Sequence, residues 1–476
     1  MKKYISSVFI FFFIGVIIAQ EQEKELSLSM QEAIDYAIKN SYENKVSLNN
    51  IEAAKKKKWE TTTIGLPQIN GKVEYQNWLK QQVSLLPVAA FDNTQSTIDV
   101  VQDYFDGVVR NGKEVVTPTG FVPLRFGTKQ TMNASVTLTQ LIFDGSYLVG
   151  LQSAKTYLKI SEQAKVKTEL STREAVVNAY GNVLVTEKSI EILERNKAVL
   201  EKNLDETQKT YDNGLTELEN VEQLQITLGN VESNLRNAER LKEIAYQMLN
   251  VSLGNSIDTQ LTLTSTLDNL VVDNTDLSLL ATQFDIDNHI DFKIAQNDRE
   301  SKRLLMRLEQ SKALPSLSAF INYGANANSD DFNFLDSDQK WYDYSLFGVS
   351  LNVPIFSSFG RSSRTAQAKI ELENADIRLE EAKQKLNLQV ETAKSEYQLG
   401  IENYETAKKN LALAERIEKK QQVKFFEGIS SSFDLLQAQN QLYTQQNNYV
   451  QSMLNVIAKK AQLENALNLP LKQNQL

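Results

Sequence analysis

Two stretches of this 476-residue chain, 124–314 and 355–469, contain no proline. Proline removes a helical N–H and clashes with the preceding turn, so runs this long without it permit helices far longer than a globular domain needs. Each run has a central break around a glycine, in Tyr211-Asp212-Asn213-Gly214-Leu215-Thr216 and in Phe425-Phe426-Glu427-Gly428-Ile429-Ser430. The pattern predicts two long helical hairpins with tips at 211–216 and 425–430. At ~1.5 Å per residue, the outgoing arms Ser146–Tyr211 and Ser358–Phe425 would each reach about 100 Å. Ala375, Leu379, Ala382, Leu386, Val390, Ala393 and Tyr397 keep a three-four spacing close to the coiled-coil period. So narrow a stripe makes no globular core alone. The returning arms, Thr216 to about Leu253 and Ser432 to Leu469, supply some partner helices, and other subunits must supply the rest.

The hairpins belong to a larger repeat. Leu66-Pro67-Gln68-Ile69 through Tyr75 matches Leu314-Pro315-Ser316-Leu317 through Tyr323 at an offset of 248. Val136-Thr137-Leu138 and Ile142-Phe143 match Val349-Ser350-Leu351 and Ile355-Phe356 at 213, and the tip glycines match at 214. One unit of helix, strand, loop, strand and long hairpin is therefore written twice. The first copy spans 20–254 and the second 277–469. A linker with short extended pieces (255–276) joins them, and a short tail (470–476) follows. The first copy carries about 35 more residues between its two strands, the difference of the two offsets.

The opening helix reads from Leu28 to about Ile64, with Ser29 and Glu32 placed as a capping box. The strands fall near 67–78, 130–143, 315–324 and 345–356. In each, apolar residues alternate with polar ones: Ile69, Val73 and Tyr75; Met132, Ala134, Val136 and Leu138; Leu317, Ile321 and Tyr323; Phe347, Val349 and Leu351. Each segment is about as long as a tilted strand that crosses a bilayer. Tyr75, Trp78, Trp341, Tyr344 and Phe347 read as an aromatic girdle at the membrane interface. One sheet of a soluble sandwich would also alternate, but this chain offers no other strands to pack against. If the apolar faces meet lipid, no edge can stay open. Spanning barrels start at eight strands, so a chain with four must assemble with others, and three copies would give twelve.

Several chemistries are excluded. There is no cysteine, and His289 is the sole histidine, so thiolate sites and paired-histidine metal sites cannot form. No metal, cofactor or nucleophile–base constellation is legible, which speaks against an envelope hydrolase or any other enzyme. A net charge of −9 argues against nucleic acid. Residues 1–19 read as a signal peptide: Lys2 and Lys3 precede an apolar run that ends at Ile17-Ile18-Ala19. Losing them takes the net charge from −9 to −11. The acidic loop around Asp330, Asp331, Asp336 and Asp338 reads as solvated.

Four features resemble the TolC-like outer-membrane efflux protein family. They are the duplicated strand–helix junctions, Gln140-Leu141-Ile142-Phe143-Asp144-Gly145 and Val353-Pro354-Ile355-Phe356-Ser357-Ser358-Phe359-Gly360, the Leu-Pro before each first strand, the aromatic-x-x-Gly tips, and the Gln-rich return Leu436-Gln437-Ala438-Gln439-Asn440-Gln441. The resemblance implies an α+β membrane protein with four transmembrane strands per subunit. Its homotrimer would form a twelve-stranded β-barrel in the lipid of the cell outer membrane, continued by an α-helical barrel in the periplasm. It implies the passive exit duct of a tripartite efflux or type I secretion system, joined by a periplasmic adaptor to an inner-membrane RND-type pump or ABC exporter, with no cofactor. The tips Tyr211, Gly214, Leu215, Phe425, Phe426, Gly428 and Ile429 would dock the adaptor, although glycine there also serves as a plain helix stop. Acidic residues of the family's pore constriction match Asp434 and Gln437 here, the second a departure that halves the ring's charge. In the first copy they match Asn220 and Gln223. Asp434 is also well placed as an ordinary helix-start residue. The competing reading, a soluble periplasmic adaptor or structural coiled coil, shares the hairpins but has no need of outward apolar strands.

Overall fold

The computed structural model describes residues 26–91, 94–104 and 119–469. The signal-peptide segment and the tail from Pro470 lie outside them. In chain order the elements are β1 (Leu26–Leu28), α1 (Met30–Asn40), α2 (Tyr42–Thr63), β2 (Gln68–Asn77), β3 (Val83–Pro87), α3 (Thr94–Tyr104), β4 (Phe121–Arg125), β5 (Gln130–Asp144), α4 (Gly145–Asp212), α5 (Leu218–Leu253), β6 (Leu261–Leu263), α6 (Leu267–Asp273), α7 (Ile290–Ser311), β7 (Ser316–Ser329), β8 (Tyr342–Asn352), α8 (Gly360–Phe426) and α9 (Ser432–Ala466). They fall into two units: a helical one (up to 57, 153–304 and 367 onward) and a sheet one (58–152 and 305–366). Among the described residues no helix is long and apolar enough to cross a membrane.

In the helical unit, Ala33, Ile34 and Ala37 of α1 join Val176, Tyr180 and Val183 of α4, Leu249 and Leu253 of α5, Tyr397 of α8, and Met453, Val456 and Ile457 of α9 in one buried cluster. The two buried tyrosines satisfy their hydroxyls on the backbone, as burial demands. Tyr180 Oη donates to Leu28 O (3.0 Å), and Tyr397 Oη lies 2.9 Å from Asn274 O. Gly254 ends α5 at φ 81°, and a Cβ there would lie 2.3 Å from Asn40 O, so only glycine lets α5 end against α1.

Two sequence expectations need correction here. The opening helix is not continuous: Ser41 leaves helical geometry between α1 and α2. Its hydroxyl accepts from the buried Asn44 side chain (2.9 Å), which also donates to Thr172 Oγ1 (2.9 Å). The segment 255–276 is more than a linker. β6 is an extended piece of the expected kind and pairs parallel with β1, but α6 is a helix that buries Leu267 and Val271 in the main cluster. Seven residues are too few for a helical period to stand out in the sequence.

His289 is 2% exposed. Its Nδ1 accepts from Asp291 N (3.2 Å), and its ring meets Phe284 edge-on at 5.8 Å. Burial holds its pKa below the ordinary imidazole value, with nearby Lys167 adding to the shift and Asp291 opposing it. A depressed folded-state pKa means that the unfolded chain binds the proton more readily. The contribution is therefore complete above the ordinary value, about 6.5, and is lost as the pH falls below it. Melting curves between pH 7 and pH 5 are expected to show a smaller drop in melting temperature for His289→Gln than for the parent chain.

The sheet unit is an antiparallel sheet in the order β2-β5-β7-β8. Its register places Ile69, Leu138, Ile321 and Phe347 side by side in one row. The next row, on the other face, is Asn70, Thr137, Asn322 and Leu346. Alternation in the sequence has thus become one apolar and one mostly polar face. The apolar face stays uncovered: Ile69 is 68% exposed, Val73 70% and Phe347 68%. A soluble sandwich would bury that row. β8 ends at Asn352, short of the expected 356, because Pro354 has no N–H for the ladder. β7 runs on to Ser329, beyond the expected 324.

Candidate functional site

Both tips close in the same way. Gly214 (φ 73°) donates its N–H to Tyr211 O (2.8 Å) and Leu215 N–H reaches Thr210 O (3.0 Å). Gly428 (φ 69°) donates to Phe425 O (3.0 Å) and Ile429 N–H reaches Lys424 O (2.8 Å). This bond pair, with left-handed glycine just past the helix, is the Schellman motif. It satisfies orphan carbonyls at the ends of α4 and α8. Leu215 (79%) and Ile429 (71%) are left largely exposed, and the rings of Phe425 and Phe426 meet edge-on at 5.5 Å.

A cleft of about 740 Å³ lies between the two tips, with Leu215, Glu217, Asn220, Phe425, Gly428 and Phe433 among its lining residues. The two copies are tied across it: Ser432 Oγ donates to Gln223 Oε1 (2.9 Å), while Gln223 Nε2 donates to Glu219 (3.0 Å). Asn220 turns back to Thr216 Oγ1 (2.7 Å). Of the four constriction candidates, Gln223 therefore bridges the hairpins, Asn220 braces its own turn, and Gln437 is exposed on α9.

Asp434 is the third residue of α9. Its Oδ2 accepts from Ser431 N (3.1 Å) and from Ser430 Oγ (3.2 Å), while Asp434 N donates to Ser431 Oγ (3.2 Å). These bonds, the Ser431 hydroxyl first, hold its pKa below the ordinary aspartate value. The carboxylate therefore stays ionised and is committed to a capping box. Ser431→Ala removes the cap, at a typical cost of ~1 kcal/mol. Amide exchange in the first turn of α9 is expected to quicken about fivefold, with exchange in the central cluster unchanged.

The sequence did not single out Phe433, 66% exposed beside the cap, or Ser432. An apolar residue two positions after the N-cap Ser431 was the available signal. Also unread was a polar layer along the hairpins, where Asn196 Nδ2 donates to Gln446 Oε1 (2.8 Å) and Gln422 Nε2 to Asn203 Oδ1 (2.9 Å).

The five aromatics do not form one girdle. Tyr75 lies on the apolar face, donates to Gln130 Oε1 (3.0 Å) and packs against Phe332 and Phe334 of the β7–β8 connection. Trp78 directly follows β2 and Trp341 directly precedes β8, so both stand at that end of the sheet. Phe347 shares the apolar face but lies in the row of Ile69, six residues from Tyr75 along β2, about 20 Å away. Tyr344 is on the opposite face, 3.2 Å from Asn133 Oδ1. It sits over Gly324, where a Cβ would come within 2.7 Å of its hydroxyl. Its even number against the odd number of Phe347 carries it there, since strand neighbours point to opposite faces.

Among the described residues no group of three or more His, Cys, Asp or Glu side chains is arranged to hold a metal. The model of the family described as outer membrane efflux protein matches residues 123–255 and 286–469. Outer membrane protein TolC of Vibrio cholerae serotype O1 is 22% identical over 338 residues, 71% of this chain and 76% of that protein. Among solved structures, the outer membrane protein VceC of Vibrio cholerae superposes with a TM-score of 0.65 at 16% identity, covering 92% of this chain and 95% of that one. The Campylobacter jejuni CmeC outer membrane channel gives 0.66 at 15% identity, with 92% and 85% covered. The chain therefore belongs to the outer membrane efflux protein family, with a TolC-like α+β fold and a place in the outer membrane.

Proposed function

We propose that three copies close their sheets into a twelve-stranded barrel that forms a passive exit duct, opened when a periplasmic adaptor and an inner-membrane pump engage the hairpin tips. The observation that carries this reading is the four-stranded sheet, apolar on one exposed face, whose outer edges on β2 and β8 pair with no further strand among the described residues. In hydrocarbon each unpaired backbone group costs several kcal/mol, so such edges must find partners. Four strands are half the smallest spanning barrel, and three copies supply twelve. The polar face, with Asn70, Thr137 and Asn322 in one row, then lines a wet interior.

Helical faces left exposed within one chain support the same assembly. Ile226 (66%), Ile377 (68%) and Leu388 (68%) lie on helices whose buried stripes are already used, and a neighbouring copy covers them. At the tips, Leu215, Phe426, Ile429 and Phe433 give the adaptor an apolar seat. Asp434, Gln437, Asn220 and Gln223 stand near the entrance, where three ionised Asp434 carboxylates would favour cations. The pump sets the cargo and supplies the energy.

The test is the mass of the protein extracted from outer membranes in mild detergent. Three times the chain mass, collapsing to the monomer on boiling, is the expected result. A soluble periplasmic monomer would overturn the reading and favour the adaptor alternative.

A further inference from the structure

We propose that the face of the sheet turned toward the barrel interior carries a track for planar aromatic solutes, laid along β8 by Phe320, Tyr342, Tyr344 and Leu346. The inference rests on the closed-barrel reading and adds a class of solute that the barrel itself holds.

The register brings these side chains together. Even-numbered residues of β7 and β8 share the face of Asn70 and Thr137. On it, Phe320 pairs with Gly348, Asn322 with Leu346, Gly324 with Tyr344 and Asn326 with Tyr342. Tyr342, Tyr344 and Leu346 therefore stand in line along β8 at intervals of about 7 Å. Tyr342 is 59% exposed and Leu346 55%. Two rings lie flat against the sheet. A Cβ on Gly324 would meet Tyr344 Oη at 2.7 Å and Cζ at 2.8 Å, and the Tyr344 hydroxyl reaches on to Asn133 Oδ1 of β5 (3.2 Å). A Cβ on Gly348 would meet Phe320 Cζ at 2.5 Å, so the Phe320 ring crosses from β7 and fills the next place on β8. The line then runs unbroken from 342 to 348, about 20 Å.

Rings that cover strand glycines also steady a sheet by themselves. The repeat separates that role from the proposed one. At the offsets of 248 and 213, the first copy has Lys72 for Phe320, Thr131 for Tyr344, Asn133 for Leu346 and Ser135 for Gly348. The same strand geometry is built there from polar side chains, so the fold does not require the apolar line. Tyr342 and Leu346 stand opposite asparagines, not glycines, and cover no gap.

Apolar groups left bare on a wet face mark a place where something binds. Flat rings favour stacked planar groups, and their electron-rich faces also attract cations. Lys72 and Glu74, on the far strand of the same face, neutralise one another at 2.7 Å, so the rings set the choice. Asn322 and Asn326 beside them offer hydrogen bonds to the polar rim of an aromatic solute. Three copies would present three such tracks, each separated from the next by more polar strands.

The test is current blockade of the purified oligomer in a planar bilayer, with ethidium as a planar aromatic cation and tetrabutylammonium as a cation without a ring. Ethidium is expected to block at a concentration about tenfold lower, the scale of one or two stacking contacts. Tyr342→Ser with Tyr344→Ser should erase that difference while the unblocked conductance stays at or above the parent value, and Tyr342→Phe with Tyr344→Phe should keep it. Should loss of Tyr344 disturb the sheet, Tyr342→Ser with Leu346→Ser reads the same line and should weaken ethidium alone. Equal blockade by the two probes in the parent, or unchanged ethidium blockade in the assembled serine variants, overturns the track. A parent oligomer that passes no current overturns the barrel reading on which the track rests.

Discussion

Phe347→Arg is expected to abolish stable assembly in the outer membrane, while Asn322→Arg, one row away on the other face, is tolerated. Phe347 stands in the row Ile69–Leu138–Ile321–Phe347 and is 68% exposed. If that face meets lipid, arginine near the bilayer centre costs about 2–4 kcal/mol, falling toward the interfaces. In the proposed trimer three copies of the substitution would ring one barrel, so the penalty would apply three times. In the proposed barrel Asn322 would look into the wet interior, where a charge keeps its hydration. The heat-modifiable oligomer in outer-membrane fractions should fall at least tenfold for the first variant and stay near the parent level for the second. Equal loss in both, or in neither, would show that the two faces do not see different solvents.

The second large effect is expected at the tips. Gly214→Trp with Gly428→Trp should stop export, at least tenfold, while the trimer forms normally. Both glycines have positive φ, and a Cβ on either would meet no heavy atom within 4 Å. The substitution therefore adds local strain on the order of 1–2 kcal/mol per site and no clash within the chain. Bulk is added where Leu215, Ile429 and Phe426 are exposed, the proposed docking surface. Export is read as accumulation of a pumped dye in cells, and assembly as the heat-modifiable band. Unimpaired export in this variant would remove the tips from adaptor docking and leave them as helix stops.

How much of this was legible in the residues depended on the range of the signal. The capping box of Ser29 and Glu32, the glycine stops at 214 and 428, and the alternation of β2, β5, β7 and β8 are local, and local patterns survive into the fold. The repeat offsets reached further, aligning strands that are hundreds of residues apart. Short elements were lost. α6 has two core residues, and nothing in Leu267-Asp268-Asn269-Leu270-Val271 announces that they join a cluster built from α4, α5 and α9. The break at Ser41 depends on a buried Asn44 whose partner, Thr172, is 128 residues away. At the site, residue type located the tips correctly, but counting aromatics near strand ends ignored parity and put Tyr344 on the wrong face. The role of Asp434 as a cap was visible as an alternative. Its hydrogen bonds to Ser430 and Ser431 add that its charge is fixed at the start of α9, beside the cleft.

The most direct test of the central claim is conductance across a planar lipid bilayer after addition of the purified, unboiled oligomer. Discrete current steps of uniform size, absent from boiled protein and reduced in amplitude when bulk is placed on the polar face at Asn322→Trp, are the result expected of a water-filled barrel. A correctly assembled oligomer that never passes current, or whose steps ignore the polar face, would contradict it.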